Sequence, residues 1–304
     1  MLDVALLGTG GMMPLPNRFL TSMLCRVNGT MILIDCGEGT QITLQKLGWG
    51  FKNIDTIAIT HFHADHISGL PGILLAIGNA CREEPLLMLG PPGLESIVGH
   101  LRAIVPELPF EIIFKEWDVP LDSFYLLPDL ELKALRLKHH GICYGYNLTL
   151  HRKGRFDLER AKAQNIPMAV WSPLQKQDEV IYEGIKYTSD MVLGSNRKGL
   201  KIGYCTDTRP VQNLPEFMRD ADLLICEGLY GEEDKQEKTA AHMHMSFKEA
   251  ATIAKEAQVN ELWLTHFSPA LPDPHNYRYV AEKIFSNTVI GRDRMTKTLV
   301  FDDE

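Results

Sequence analysis

The chain has 304 residues, 45% of them hydrophobic and 23% charged, so it can form one large globular domain or two small ones around a sizeable core. Its net charge of −8 excludes a general electrostatic attraction to nucleic acid, although not a local basic patch. The six cysteines lack paired spacing, and charged or polar residues interrupt every apolar run. We therefore expect reduced thiols, a cytoplasmic location and no membrane attachment.

The amino-terminal part of the chain alternates strand and helix patterns, the order expected of an α/β fold. Asn28-Gly29 lies between two apolar runs and predicts a hairpin. Pro14 and Pro16 exclude a helix after the glycines of 8–11, which we interpret as a turn and not as a nucleotide-binding loop. The predicted strands cover 3–7, 22–27, 30–35, 54–60 and 86–89, and the predicted helices cover about 41–47, 70–80 and 94–105.

The carboxyl-terminal part returns to the same alternation after a mostly strand-like region at 109–150. Ser246-Phe247-Lys248-Glu249 has the form of a capping box and predicts the start of a helix. The predicted strands cover 200–206, 221–226, 262–265 and 296–301, and the predicted helices cover 246–257 and 277–285.

Residues 152–198 differ in character from the rest of the chain. Basic residues are frequent at their start, 158–165 predicts a short helix before Pro167, and the remainder shows no clear periodicity. We interpret the segment as an arm inserted into a single domain that spans 1–304. From the residues alone, a partner-binding arm and a solvated surface loop are equally supported.

The strongest chemical signal is His61-Phe62-His63-Ala64-Asp65-His66 at the end of an apolar run. Imidazole and carboxylate groups are the usual protein ligands of zinc and similar metals. We expect positions 61, 63 and 65 to face one way, because side chains alternate along a strand and its exit loop. The motif therefore predicts a metal site.

Acidic residues and histidines also stand where other apolar strands stop. In open α/β sheets, ligands bind beyond the carboxyl ends of the strands. One shared site is therefore the simplest explanation for the whole set, which consists of Asp35, His61, Asp207, Glu227 and His266.

A further histidine is expected between this motif and Asp207, and His139 and His140 are the candidates. His139 shares a strand face with Leu135 and Leu137, whereas His140 shares the opposite face with charged residues. Alternation therefore favours His139 as the buried residue and leaves His140 as the alternative.

The ordered motifs resemble those of the metallo-β-lactamase superfamily, and in particular its ribonuclease Z family. The resemblance covers nearly the whole chain and implies an αββα sandwich, an α/β fold with the inserted arm. The runs that carry it are Asp35-Cys36-Gly37-Glu38-Gly39-Thr40-Gln41, His61 to His66, Gly69-Leu70-Pro71-Gly72, Cys143-Tyr144-Gly145-Tyr146, Cys205-Thr206-Asp207-Thr208-Arg209-Pro210 and Leu264-Thr265-His266-Phe267-Ser268.

The resemblance implies two Zn²⁺ ions per subunit, with Mn²⁺ or another divalent metal as an alternative. The family's histidine six residues before a Gly-Tyr pair corresponds to His139, since that pair is Gly145-Tyr146 here. Asp65 would also accept the proton of the nucleophile, and Asp35 would orient a ligating imidazole. The implied ligands are His61, His63 and His139 for one ion, Asp65, His66 and His266 for the second, and Asp207 between the two.

A proton donor for the leaving oxygen is expected near the capped helix, where backbone amides attract phosphate. His244 is the preferred candidate, with Glu227 as its orienting partner, and His242 is the alternative two residues away. The histidine and glutamate pair resembles that of the family.

The resemblance implies an endoribonuclease that removes the 3′ trailer of precursor tRNA and leaves a 3′-hydroxyl on the tRNA. Family members are usually homodimers whose arm grips the tRNA, a role that would fall here to Arg152, Lys153 and Arg155. The alternative is a metal-dependent phosphodiesterase acting on small or cyclic phosphodiesters.

Overall fold

The structure is a computed structural model that describes residues 1–231 and 235–302. The chain divides into two compact units. The first unit comprises Met1–Thr149 and Leu200–Glu304, and the second comprises Leu150–Gly199, which covers the segment interpreted from the sequence as an insertion.

Strands and helices alternate through most of the first unit, in the order that the sequence predicts. The elements of both units are numbered together in chain order. The strands are β1 (Leu2–Gly8), β2 (Ser22–Val27), β3 (Thr30–Ile34), β4 (Ile54–Ala58), β5 (Leu86–Gly90), β6 (Ile112–Glu116), β7 (Leu121–Leu127), β8 (Leu130–His139), β9 (Gly141–Arg152), β10 (Glu179–Tyr182), β11 (Ile185–Thr188), β12 (Arg197–Cys205), β13 (Leu223–Glu227), β14 (Leu262–Thr265), β15 (Thr288–Ile290) and β16 (Thr296–Leu299). The α-helices are α1 (Thr40–Leu47), α2 (Ala64–Ile67), α3 (Leu70–Asn79), α4 (Leu94–Arg102), α5 (Leu158–Ala163), α6 (Met168–Lys176), α7 (Leu214–Met218), α8 (Gln236–Ala241), α9 (Phe247–Glu256) and α10 (Arg278–Glu282).

Two sheets form the centre of the first unit. In the described part of the chain each has seven strands, in the orders β16-β1-β2-β3-β4-β5-β6 and β15-β14-β13-β12-β9-β8-β7. The first sheet is antiparallel from β16 to β3 and parallel from β3 to β6. In the second sheet, β12 to β15 run parallel. The carboxyl ends of β12, β13 and β14 therefore meet at one edge.

Helices cover one face of each sheet. One apolar cluster joins the first sheet to α1, α3 and α4, and another joins the second sheet to α7, α9 and α10. The opposite faces meet, since Tyr146 of β9 donates a hydrogen bond of 2.6 Å to the carbonyl of Ile59, and Tyr204 of β12 lies 3.4 Å from Asp35. Four layers in the order αββα follow, which confirms the predicted fold.

The predicted hairpin turn and the predicted capping box are both confirmed. Asn28-Gly29 closes the β2–β3 hairpin, with φ 50° and 90° at its two residues. Ser246 and Glu249 form both halves of the capping box of α9. The prediction that alternation makes positions 61, 63 and 65 face one way is wrong, because β4 ends at Ala58 and α2 begins at Ala64.

The second unit has an apolar core of its own. Trp171 and Val170 of α6 pack with Ala161 of α5, and Tyr182 and Tyr187 come from the β10–β11 hairpin. The short helix predicted at 158–165 is confirmed as α5. The interpretation that the rest of the segment lacks periodic structure is wrong, because α6 and the β10–β11 hairpin occupy that stretch.

All six cysteines are free, and all except Cys81 are buried. Among the described residues, the helices are too short or too polar to cross a lipid bilayer.

Candidate metal centre

Three of the predicted site residues follow strands and have a left-handed backbone. Asp35 follows β3 with φ 58°, Asp207 lies just beyond β12 with φ 51°, and His266 follows β14 with φ 56°. Residues other than glycine rarely adopt this conformation, which costs about 1–3 kcal/mol at each position. Such strain is typical of functional sites, and here it occurs where the sheets end.

The first cluster of side chains consists of His61, His63, His139 and Asp207, whose ligand atoms all lie within 4.8 Å of one another. His139 Nε2 lies 3.3 Å from His63 Nδ1 and 3.6 Å from Asp207 Oδ2. His61 Nε2 is also 3.6 Å from Asp207 Oδ2. Ligands about 2.0–2.1 Å from one tetrahedral ion lie about 3.3 Å apart, so this spacing suits a shared cation.

The second cluster consists of Asp65, His66 and His266. His66 Nε2 and His266 Nε2 are 3.3 Å apart, and His266 Nε2 lies 3.3 Å from Asp65 Oδ2. All three residues are buried. The helix α2 brings Asp65 and His66 to this position, whereas His61 and His63 precede it and belong to the first cluster.

Asp207 connects the two clusters through its two carboxylate oxygens. Oδ2 faces the first cluster, 3.6 Å from His61 and from His139. Oδ1 faces the second cluster, 3.1 Å from the Nε2 atoms of both His66 and His266. A carboxylate divided in this way can contact two cations at once.

The donor atoms fit divalent cations. Asp207 Oδ1 and His61 Nε2 are buried and make no hydrogen bond within the described residues. Buried polar groups are rarely left without a partner, and an ion provides one. Imidazole and carboxylate are suitable ligands for zinc and related metals. The two clusters therefore form a divalent-metal site.

Protonation of the histidines bears on metal binding, which requires neutral imidazole. Burial lowers the pKa of His139 to about 4 and the pKa of His61 well below its ordinary value. Burial also lowers the pKa of His66, but Asp207 and Asp35 outweigh it and raise that pKa well above the usual range. Protonation of His66 and metal binding at its Nε2 atom therefore compete.

Three histidines of the clusters make hydrogen bonds through Nδ1, the ring nitrogen that faces away from the cluster. His66 Nδ1 lies 2.8 Å from Asp35 Oδ2, and Asp35 also accepts from the backbone nitrogen of Thr60 at 2.8 Å. The hydroxyl of Thr60 lies 3.0 Å from His61 Nδ1. His139 Nδ1 lies 3.1 Å from the carbonyl of Met243. These contacts determine which ring nitrogen faces the cluster.

Backbone groups that sequence reasoning missed complete the second cluster. The nitrogen of Met12 donates a hydrogen bond of 2.7 Å to Asp65 Oδ2. A Cβ atom on Gly11 would lie 2.6 Å from Cε1 of His266, so only glycine fits there. The turn at 8–11 was predicted, but its contact with the site was not, because backbone donors have no sequence signature.

His244 lies beside the clusters and pairs with Glu227. The distance from His244 Nδ1 to Glu227 Oε2 is 2.8 Å, and Glu227 Oε1 accepts a hydrogen bond of 2.6 Å from the nitrogen of Thr208. Although ligand atoms of His244, Asp207 and His266 also group together, Glu227 occupies Nδ1, which is 3.9 Å from Asp207. Burial lowers the pKa of His244, but Glu227 outweighs it and raises the pKa to about 9.

A cleft of about 390 Å³ opens onto both clusters. His244 is buried in its wall, whereas His242 and His140, the alternatives to His244 and His139, are exposed at its rim. Burial therefore distinguishes His244 from His242 and His139 from His140. The other lining residues are Met12, His63, Asp65, His139, Asp207, Leu229, Tyr230, Lys238 and His266.

The predicted RNA-contacting residues Arg152, Lys153 and Arg155 belong to the second unit. Lys153 Nζ forms an ion pair of 2.7 Å with Asp178 Oδ1, at a solvent-exposed position. Sequence reasoning did not anticipate this acidic partner, which is distant along the chain.

Two family models match the chain. Residues 2–153 match a family described as anti-Pycsar protein Apyc1, and residues 149–267 match the β-lactamase superfamily domain. The chain is similar in structure to the short form of human tRNase Z, with a TM-score of 0.71 and 25% identity over 98% of this chain and all of that one. It also resembles the metallo-β-lactamase fold protein YhfI from Bacillus subtilis, with a TM-score of 0.69, 20% identity and coverage of 98% and 100%.

Curated relatives match over the full length. The chain is 52% identical to ribonuclease Z of Agathobacter rectalis over 304 residues, which are 100% of both chains. It is 49% identical to ribonuclease Z of Clostridium acetobutylicum over 308 aligned residues, again 100% of each. Together with the αββα layers and the metal clusters at the strand ends, this likeness shows that the chain belongs to the ribonuclease Z family of the metallo-β-lactamase superfamily.

Proposed function

We propose that this chain is a zinc-dependent endoribonuclease that cleaves the 3′ trailer from precursor tRNA and leaves a 3′-hydroxyl on the tRNA. The observation that carries the proposal is the division of the Asp207 oxygens between two clusters, at 3.1 Å and 3.6 Å. Two divalent ions that share a carboxylate are suited to phosphodiester hydrolysis. The full-length relatives named ribonuclease Z support the choice of RNA as substrate.

Two Zn²⁺ ions would fit one in each cluster, with Asp207 contacting both. When bound, such ions supply a lowered pKa for an attacking water and neutralise charge on the phosphate oxygens. The residues that would hold them are His61, His63 and His139 for the first, and Asp65, His66 and His266 for the second.

The chain's own groups would then handle two protons. Asp65, whose pKa is lowered by the nearby His266 and His66 against the effect of burial, would accept the proton of the attacking water. His244 would donate a proton to the leaving 3′-oxygen of the tRNA. Its donor must be Nε2, because Glu227 occupies Nδ1. Asp35 would act indirectly, by orienting His66.

The arm would provide affinity, not chemistry. We infer that Arg152, Lys153 and Arg155 contact tRNA phosphates, that the arm is an insertion into a single catalytic domain, and that the protein functions in the cytoplasm as a homodimer. Positive side chains on the second unit support RNA contact in a chain whose net charge is −8.

A 3′-extended precursor tRNA tests the proposal. We expect the zinc-loaded wild type to cleave it after the discriminator nucleotide, and His63→Ala and Asp207→Ala to lose activity by at least about 100-fold. His140→Ala, at the exposed rim, serves as the matched control and should retain activity. Hydrolysis of bis(p-nitrophenyl) phosphate without any cleavage of precursor tRNA would instead support the small-substrate phosphodiesterase.

A further inference from the structure

Three consecutive residues after β12 contact different parts of the site. Asp207 joins the two metal clusters, and the nitrogen of Thr208 donates to Glu227 Oε1 at 2.6 Å. The Arg209 guanidinium donates through Nη1 to the main-chain carbonyl of His244. One loop therefore holds the carboxylate between the clusters, the partner of the His244 ring, and the His244 main chain.

Arg209 is itself fixed by an acidic partner on the capped helix α9. Its guanidinium makes a two-pronged ion pair with Glu249, in which Nη1 lies 3.1 Å from Oε2 and Nη2 contacts Oε1. Glu249 Oε2 also accepts from the nitrogen of Ser246 at 2.9 Å. The exposed fractions of the two side chains are 21% and 16%, so solvent only partly screens the pair.

The loop of residues 207–209 is also hydrogen-bonded to β8, the strand that carries His139. The nitrogen of Arg209 donates to the carbonyl of Lys138 at 2.9 Å, and the nitrogen of Lys138 donates to the hydroxyl of Thr208 at 3.0 Å. Because Lys138 immediately precedes His139, the loop cannot shift without disturbing that strand end.

We propose that Arg209 is a positioning residue for the proton donor His244. Through its contacts with the His244 carbonyl and with Glu249, Arg209 sets the distance between the His244 ring and the scissile phosphate. This inference rests on the proposed role of His244 as the acid. The guanidinium suits the task, because its planar fork can bind a carboxylate and a carbonyl together in fixed directions. The Lys ammonium lacks that geometry.

A series of aryl phosphodiesters with leaving groups from p-nitrophenol to unsubstituted phenol tests the proposal. A poor leaving group needs the proton and a good one does not. For Arg209→Met we expect kcat to fall by about tenfold to 100-fold with phenol and by less than about threefold with p-nitrophenol, at unchanged KM. Glu249→Gln should show the same trend more weakly, and Arg209→Lys should recover part of the loss.

Lys248→Met is the matched control, since it removes an exposed cation from the same helix turn, and kcat should stay unchanged across the series. Metal content and melting temperature are measured for every variant, and the metal content should equal that of the wild type. An equal loss with all leaving groups in Arg209→Lys and Glu249→Gln, or a loss of metal in these variants, would overturn the positioning role. Failure of the wild type to cleave precursor tRNA would refute only the proposed substrate, since the aryl series needs no tRNA.

Discussion

The imidazole of His66 and the carboxylate of Asp35 are joined by a contact of 2.8 Å between Nδ1 and Oδ2, and neither side chain is exposed to solvent. This contact places the proton on Nδ1 and leaves Nε2 to face Asp207 and His266. Asp35, whose backbone is left-handed, therefore supports the metal centre by orienting His66, although Asp35 would contact no metal itself.

Asp35→Asn should weaken metal binding at the second cluster by about 10-fold to 100-fold, the range typical for lost partners of ligating histidines. Thr60 donates to Oδ1 and His66 Nδ1 contacts Oδ2, and the amide would place an NH2 group, which cannot accept, at one of these two positions. Chelator competition measures the affinity. Tyr204→Phe removes a weaker contact of 3.4 Å to the same carboxylate and should change affinity by less than about threefold.

Gly11→Ala should disturb His266 and lower both metal affinity and kcat by about tenfold or more. The new methyl group would lie 2.6 Å from the imidazole, and overpacking of this kind costs about 1–3 kcal/mol. Metal titration and a crystal structure of the variant would measure the displacement. Gly99→Ala in α4 is the control, because nothing lies within 4 Å of its added Cβ, and full metal affinity is expected there. A Gly11→Ala variant with an unmoved His266 would contradict the packing argument.

Much of the site follows from simple periodicity. The strands β3, β12, β13 and β14 each end on, or one or two residues before, an acidic residue or histidine that lies in the metal clusters or contacts a histidine of the site. Alternation along β8 placed His139 with the core residues, and the structure buries it while exposing His140. The prediction that His139 is the buried residue of the pair is confirmed, because a strand allows a side chain only two directions.

The remaining features depend on signals that a sequence carries weakly. Pro173 lies inside α6 and signals a helix end, although the apolar contacts of Val170 and Leu174 sustain the helix. The β10–β11 hairpin turns at Glu183-Gly184, with φ 51° and 78°, and a glutamate is a poorer mark of that turn than asparagine. The function of Arg209 depends on contacts distant in sequence, which no local pattern reveals.

The pH dependence of cleavage should report His244. Glu227 raises the His244 pKa to about 9 against the effect of burial, and an acid must be protonated to act. We therefore expect kcat for precursor tRNA to fall as pH rises through a value at or below about 9, since bound cations lower the pKa of a neighbouring imidazolium. His244→Gln should lose this alkaline limb along with most activity, and Glu227→Gln should move the limb to lower pH. A limb that persists unchanged in His244→Gln belongs to another group.

The arm should affect tRNA binding without affecting hydrolysis of small esters. Replacing Arg152, Lys153 and Arg155 by Gln should raise KM for precursor tRNA and reduce the slope of log affinity against log salt by about 1 per lost phosphate contact. Hydrolysis of bis(p-nitrophenyl) phosphate should stay unchanged, because the metal ligands lie in the other unit. Asp178→Asn provides a matched test of opposite sign: it releases Lys153 from its 2.7 Å ion pair and removes a negative charge, so KM should fall or stay equal. Unaltered KM and salt slope in the triple variant would exclude these residues from RNA contact and leave the metal centre unaffected.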